Sequence, residues 1–503
     1  MDNTQNSTGY FPQVPVCNES FISEVSSDFS LPDYKNEIRR LLFVTPTLIH
    51  QREYLDNASS THEGEISYKV TYVGADGGLY CATLNDRYSI DIPLHFNAYS
   101  LDMNDVSLIT TCSAGTPVTK VLGPRKLNIR TKITCRALAL SPAMYSPAVD
   151  GLETQVRQTK CAVARKCVGE PLTVGELIST ENGTDDIRII DLNALANVHD
   201  CFFSNGLIKV TGDVLCRVLC CRDGSESLPF AISKKLPFST EVPCELDSVG
   251  ECNAQVLISD EFAEVRDGGV FVEMNLVPYV KMLKGTMASY YSDCFSTECH
   301  CQTKHERANV LVPIKCSAGN LTHNSVLPLD EVKLPKDAHI IECATHLRLN
   351  EVVYEDTRLQ IHGECEHHIL YSDDAEIGCT THSTTFRYTP DCRISADVTE
   401  LVFDVGAQVF SSRARADDER VFVDCEMNFN ILLMDNVEIS PMVGVELGEA
   451  REPLGKGVLL CYPEADEPLW SVAKRYGVKL GTLKSKNSIP ESEEKHKSKY
   501  LVI

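Results

Sequence analysis

The sequence predicts a mainly β chain: three tandem antiparallel β-sandwich-like repeats, followed by a small α/β module of strand–helix–helix–strand order. Three observations carry this. Apolar residues recur at every second position over long stretches, which is the period of a half-buried strand. A glycine-marked alternating strand appears three times, about 150 residues apart, the mark of an internal repeat. Helical periodicity is concentrated in the last fifty residues.

A chain of 503 residues is too long for a single core. Its 43% hydrophobic and 23% charged content is that of folded protein. The net charge of −24 repels a phosphate backbone, which argues against nucleic acid as a partner. Met1 to Ser30 has neither a basic start nor an apolar centre, and the chain holds no run of about 18 apolar residues. The expectation is a protein without a leader or transmembrane segment that begins in the cytoplasm. In a reducing compartment its 22 cysteines act mainly as small hydrophobes.

The repeated strand reads Gly64, Ile66, Tyr68, Val70 and Tyr72 on one parity; then Gly212, Val214, Cys216, Val218 and Cys220; then Ile361, Gly363, Cys365, His367, Ile369 and Tyr371. A glycine at the same step each time fits a bend, a bulge or a close backbone approach. Hairpin turns follow at Gly74 to Gly78, Arg222 to Ser225 and Ser372 to Asp374. Next comes an aromatic, a hydroxyl and an acid: Tyr88-Ser89-Ile90-Asp91, Phe238-Ser239-Thr240-Glu241 and Tyr388-Thr389-Pro390-Asp391. A last alternating strand closes each unit, with apolar rows Leu127 to Cys135, Val270 to Val280 and Val421 to Ile431. The divisions expected are a disordered segment 1–21, repeats at 22–145, 160–295 and 310–448, a linker at 449–457 and a module at 458–503.

In that module Leu469, Val472, Ala473 and Tyr476 fall at helical spacing. Pro468 suits the first turn and Gly477 the C-terminal cap. A second helix is expected around Leu480, Leu483 and Lys484, ending at Asn487, and Tyr500 to Ile503 returns as a strand. The run Leu469-Trp470-Ser471-Val472-Ala473-Lys474-Arg475-Tyr476, with Asn487 beyond it, resembles the LysM family. Asp466 stands where that family has Gly, Pro468 where it has Ser or Thr, and the segment 491–499 lacks its Pro-Gly-Gln. These departures fall in the two loops that flank the family's groove for N-acetylglucosamine polymers.

Three β-repeats with one C-terminal LysM-like module resemble the SPOCS-domain spore coat morphogenetic proteins of clostridia and bacilli. The resemblance implies a non-enzymatic scaffold without a cofactor. Its module would bind a coat basement-layer ATPase (SpoIVA-like) on the mother-cell side of the forespore, and the protein would end in the spore coat. The candidate binding set is Glu467, Leu469, Trp470, Lys474, Arg475, Tyr476 and Asn487, with Trp470 read first as a core anchor. The alternative is a LysM protein that binds peptidoglycan.

No P-loop, dinucleotide fingerprint, nucleophile elbow or His-Glu-x-x-His motif is present. Cys294, Cys299, His300, Cys301 and His305 supply soft ligands within twelve residues, but adjacent residues on a strand face opposite ways, so an exposed cysteine-rich loop is preferred to a zinc site. His367 reads as a hydrogen-bonded core or interface histidine and His368 as pointing to the other face. Asp91, Glu241 and Asp391, one acid per repeat, read as turn or hydrogen-bonding residues rather than an acid–base pair.

Overall fold

The computed structural model describes residues 7–56, 59–101, 105–180, 186–222, 228–244, 250–373, 376–417, 419–452, 457–464, 466–495 and 500–503. Strands account for 74% of the described residues and helices for 4%, so the protein is mainly β, in several antiparallel sheets. The expected turn at Asp223 to Ser225, the tip at Asp374, part of the linker (453–456) and the segment 496–499 lie outside the described residues.

The first stretch contains β1 (Tyr10–Ser30), β2 (Ile38–Asp56), β3 (Ser59–Gly74), β4 (Leu79–Pro93), β5 (Ser107–Ala114), β6 (Val118–Gly123) and β7 (Lys126–Met144). A meander β2-β3-β4 forms one sheet, and β1-β7-β5, with β6 also on β7, forms the other. The second stretch repeats the plan with β8 (Glu153–Val168), β9 (Leu172–Ser179), β10 (Ile187–Ser204), β11 (Leu207–Arg222), β12 (Phe230–Pro243), β13 (Glu251–Arg266) and β14 (Gly269–Phe295). Its meander is β10-β11-β12 and its other sheet β13-β14-β8, with β9 on β14. After β15 (Cys299–His305) the third stretch runs β16 (Ala308–Pro328), the one-turn α1 (Leu329–Val332), β17 (His339–Glu355), β18 (Arg358–Ser372), β19 (Ile377–Tyr388), β20 (Leu401–Ala416) and β21 (Arg420–Ile439). There β17-β18-β19 is the meander and β16-β21-β20 the partner sheet.

Each stretch encloses its own core between its two sheets. Tyr68 and Tyr72 meet Ile129 and Ile133; Val214 and Cys216 meet Val272 and Met274; Ile361 and Cys365 meet Met427 and Phe429. The apolar rows expected from the alternation are buried, most of them there; Ile369, Val421 and Val423 pack in a neighbouring cluster with Leu327 and Leu329, and Tyr371 is half-buried against it. Each glycine has a shared cause. Gly64 pairs with Tyr88, Gly212 with Phe238 and Gly363 with Phe386, and the ring of the partner lies across the glycine. The preceding strand bulges opposite the same residue, between Ile49 and Arg52, Val198 and Asp200, and Leu349 and Glu351. The register also corrects the third aromatic: Phe386 is the counterpart of Tyr88 and Phe238, while Tyr388 stacks on Phe429 at 4.4 Å. Asp391 is therefore not the register equivalent of Asp91 and Glu241.

The segment expected to be disordered, 1–21, holds the first half of β1, with Phe11, Val14, Val16 and Cys17 buried. Pro12 and Pro15 break the alternation, and the ladder shifts register between Phe11 and Val14 and between Pro15 and Cys17. Proline is tolerated because β1 is an edge strand of its sheet and bulges there.

The three stretches are not separate bodies in series. They close on one another in a ring. The third meander strand of each contacts the first meander strand of the next: β4 with β10, β12 with β17, β19 with β2. A joint core draws Leu138 and Leu140 from the first, Ala164 and Leu283 from the second, and Leu432 and Met434 from the third. Another joins Leu79, Ile190, Leu219, Ile341 and Leu370. Consequently the last third of β3, β11 and β18 is buried on both faces.

Beyond the ring, β22 (Met442–Ala450) pairs with β15. The chain ends with β23 (Leu460–Cys461), α2 (Leu469–Tyr476), α3 (Leu480–Lys486) and β24 (Leu501–Val502), the two strands pairing antiparallel. Gly477 caps α2 in the left-handed conformation at φ 64°, donating its N–H to Lys474 O.

A Cβ on Gly212 would lie 2.1 Å from the Asn197 carbonyl oxygen, and one on Gly363 would lie 2.6 Å from that of Arg348, whereas one on Gly406 meets nothing closer than 3.4 Å. Gly212→Ala and Gly363→Ala should each cost about 1–3 kcal/mol in urea unfolding, and Gly406→Ala within about 0.5 kcal/mol.

Candidate functional site

Where the three stretches meet they enclose a cavity of about 1240 Å³ lined by residues of all three. One position repeated around the ring fills the joints between stretches, and two of its three side chains, Lys69 and Arg217, line the cavity. Lys69, Arg217 and His368 each stand five residues after the repeat glycine, on the face turned away from their own core. Phe43, Asp191 and Glu342 each follow a bulge in the first meander strand. Lys69 pairs with Asp191, at 3.4 Å, and with Glu261 of the second stretch. Arg217 reaches Glu342 of the third at 3.6 Å and donates to the Ile341 carbonyl at 3.0 Å. His368 stacks on Phe43 of the first, with rings 5.0 Å apart and 6° from parallel. The other face of β18 that His368 occupies is thus an inter-unit joint, not solvent.

Electrostatics follow from this burial. Desolvation disfavours the Lys69 ammonium, but Asp191 and Glu261 outweigh it and hold the group above its ordinary range. Burial pushes the Glu342 carboxyl up to about 7, opposed by Arg217. At the edge of the cavity Lys281 of the second stretch meets Asp404 of the third and donates to Thr111 of the first at 2.8 Å. The cations named here are all engaged by acids of a neighbouring stretch. They act as joints.

The residues singled out from sequence are dispersed. Asp91, Glu241 and Asp391 are exposed, and none lines the cavity; Asp91 accepts from Thr61 across the hairpin at 3.0 Å. His367 is fully buried between Thr345 at 2.8 Å and Thr384 at 2.9 Å, and burial lowers its pKa to about 4, so the ring is neutral. Cys294 is buried at the end of β14, and Cys299 and Cys301 share one side of β15. His305 uses Nδ1 at 3.4 Å from the Ser440 carbonyl and Nε2 at 3.1 Å from Thr303 Oγ1. Fourteen of the 22 cysteines are buried; burial pushes Cys161 and Cys216 up to about 12.

The C-terminal set forms two groups. Leu469 and Trp470 are buried, Trp470 against Phe295 at 5.0 Å. Trp470 Nε1 donates to Asp293 Oδ2 at 2.8 Å and Lys474 Nζ to Oδ1 at 2.5 Å, so one carboxylate at the end of β14 seats the helix. Asn487 binds the Leu483 and Val502 carbonyls at 2.8 Å and accepts from Val502 N at 2.7 Å, tying α3 to β24. Glu467 pairs with Arg475. Tyr476 is half-buried.

Among the described residues, the one trio of His, Cys, Asp or Glu whose ligand atoms lie within 4.8 Å of each other is His62, Cys112 and Cys135. Sequence reasoning passed over it, although a signal existed: His62 sits on the apolar parity two residues before Gly64, where the other strands carry Val210 and Ile361. Compared with protein-family models, curated proteins and solved structures, the chain matches none.

A carboxyl whose pKa is raised on folding binds protons more readily folded than unfolded, so its stability contribution falls as pH rises from about 4.5 to about 7. Relative to Glu342→Gln, the wild-type protein should lose on the order of 3 kcal/mol between pH 4.5 and pH 8 in parallel urea titrations.

Proposed function

We propose that the protein is a non-enzymatic scaffold of the spore envelope. In this reading three SPOCS-type β-sandwich repeats form a closed base that carries a LysM-like module, and the module docks a SpoIVA-like coat protein on the forespore surface. The support is the repeated strand order, the strand–helix–helix–strand end, and a cavity whose cations serve as joints. Among the described residues no helix is long and apolar enough to cross a membrane.

One observation favours a protein over a sugar as the module's ligand. The two loops that flank the LysM sugar groove are tied to each other: Pro468 bridges Lys495, Leu469 N donates to Glu494 O at 2.9 Å, and Lys495 pairs with Asp466 at 3.6 Å. Asp466 adopts φ 64°, the left-handed backbone for which the family keeps a glycine, so the turn persists while the two loops close on each other through backbone contacts and one exposed ion pair. The helix face holding Leu469 and Trp470 is spent on the seat, which leaves Leu459, Leu460, Tyr462 and Tyr500 as the exposed apolar side.

Immobilised full-length protein should retain the purified basement-layer ATPase, and a chain lacking 458–503 should not. Tyr462→Ala with Tyr500→Ala should weaken retention at least about tenfold while thermal unfolding stays unchanged, as expected of exposed aromatic anchors. Calorimetry with chitin oligomers at millimolar concentration should be flat. Equal retention by the truncated chain, or saturable heat with the oligomers, would overturn the reading.

A further inference from the structure

We propose that His62, Cys112 and Cys135 form a binding site for one soft divalent cation, zinc by its chemistry, with Glu53 orienting the histidine. His62 Nε2 lies 3.2 Å from Cys112 Sγ, and all three ligand atoms fall within 4.8 Å. Zinc bonds of about 2.3 Å to sulfur and 2.0–2.1 Å to nitrogen place tetrahedral S and N ligands about 3.6 Å apart, so small adjustments of side chains suffice. Cys112 and Cys135 are direct partners across β5 and β7, which fixes both sulfurs on one rigid sheet.

Behind the histidine lies the arrangement that tunes metal sites. Glu53 Oε1 is 3.5 Å from His62 Nδ1, accepts from Thr110 at 2.6 Å and pairs with Lys166 at 2.9 Å. A carboxylate on the far nitrogen fixes the tautomer that presents Nε2 to a metal. The charges balance. Two thiolates neutralise a divalent cation, Glu53 is neutralised by Lys166, and the two thiol protons leave for solvent on binding. Cys112 lines the central cavity, which gives an incoming ion a path to the site.

Comparison among the stretches gives an independent reason. Glu53 and His62 face each other across β2 and β3. The same step holds Cys201 opposite Val210 and Val352 opposite Ile361. Two stretches place small or apolar pairs there, and the first places a carboxylate and a fully buried imidazole. A buried polar group costs stability unless something binds it, and the apolar solution was evidently available to this fold.

The test uses the full chain, purified without chelators, kept reduced and titrated with cobalt(II). One equivalent should give the visible bands of a tetrahedral thiolate site, and zinc should displace it. His62→Val, which copies the second stretch and should keep the fold, should lose those bands together with the rise in melting temperature that zinc gives the wild type. Glu53→Gln should weaken binding about 10–100-fold, while Cys299→Ser with Cys301→Ser leaves the stoichiometry at one. A spectrum unchanged in His62→Val, no tetrahedral bands in the wild type, or a Cys112–Cys135 disulfide recovered from protein kept reduced would each overturn the proposal.

Discussion

The last third of β3, β11 and β18 is buried on both faces, and the rest of the architecture depends on this. A sheet with one apolar face needs one core, whereas these strands need two. The inner face is covered by the partner sheet of the same stretch and the outer one by its neighbours. Leu219 of β11 and Leu370 of β18 belong to the joint core, with Leu79 of β4 beside them, while Val70 and Tyr72 of β3 and Cys220 of β11 look the other way into their own cores. No single stretch could satisfy that burial alone, so the ring is a condition of each unit's stability.

Closing three units in one chain has a consequence that a homotrimer would not show. Identical subunits around an axis must make identical contacts, but here each joint has its own chemistry. Lys69 meets two carboxylates, Arg217 meets Glu342 and a carbonyl, and His368 stacks on Phe43. Because the pairs differ, the units in swapped order would set Arg217 against Phe43, with nothing of opposite charge to meet it. Buried ion pairs add little net stability over apolar packing but penalise wrong partners heavily. The order of units is thereby specified, and the joints explain why a polar cavity survives inside an otherwise apolar assembly.

The sequence made the inner cores legible because a single parity carries them: every row from Leu127 to Ile431 that alternation marked is buried. The outer faces were not legible. Thr71, Leu219 and His368 sit on what a lone sheet would give to water, and only the arrangement of neighbours buries them. β1 escaped because Pro12 and Pro15 interrupt its period, a cost that an edge strand with bulges absorbs. The module's elements were visible from Pro468, Gly477 and Asn487. That Trp470 faces Asp293 was not, since the two are separated by 177 residues.

The seat of the module bears on how force or binding would pass through the molecule. Asp293 takes both Trp470 and Lys474, and Arg451 donates to the Lys474 carbonyl at 3.1 Å and to the Cys299 carbonyl at 3.1 Å. Helix α2 is thus fastened to β14, the strand that also carries Lys281 to the three-way joint with Asp404 and Thr111. Charge-assisted contacts of this kind resist rotation more than an apolar patch does, because each bond fixes a direction. A partner held by the module would therefore be held at a set orientation to the ring, rather than at the end of a free tether.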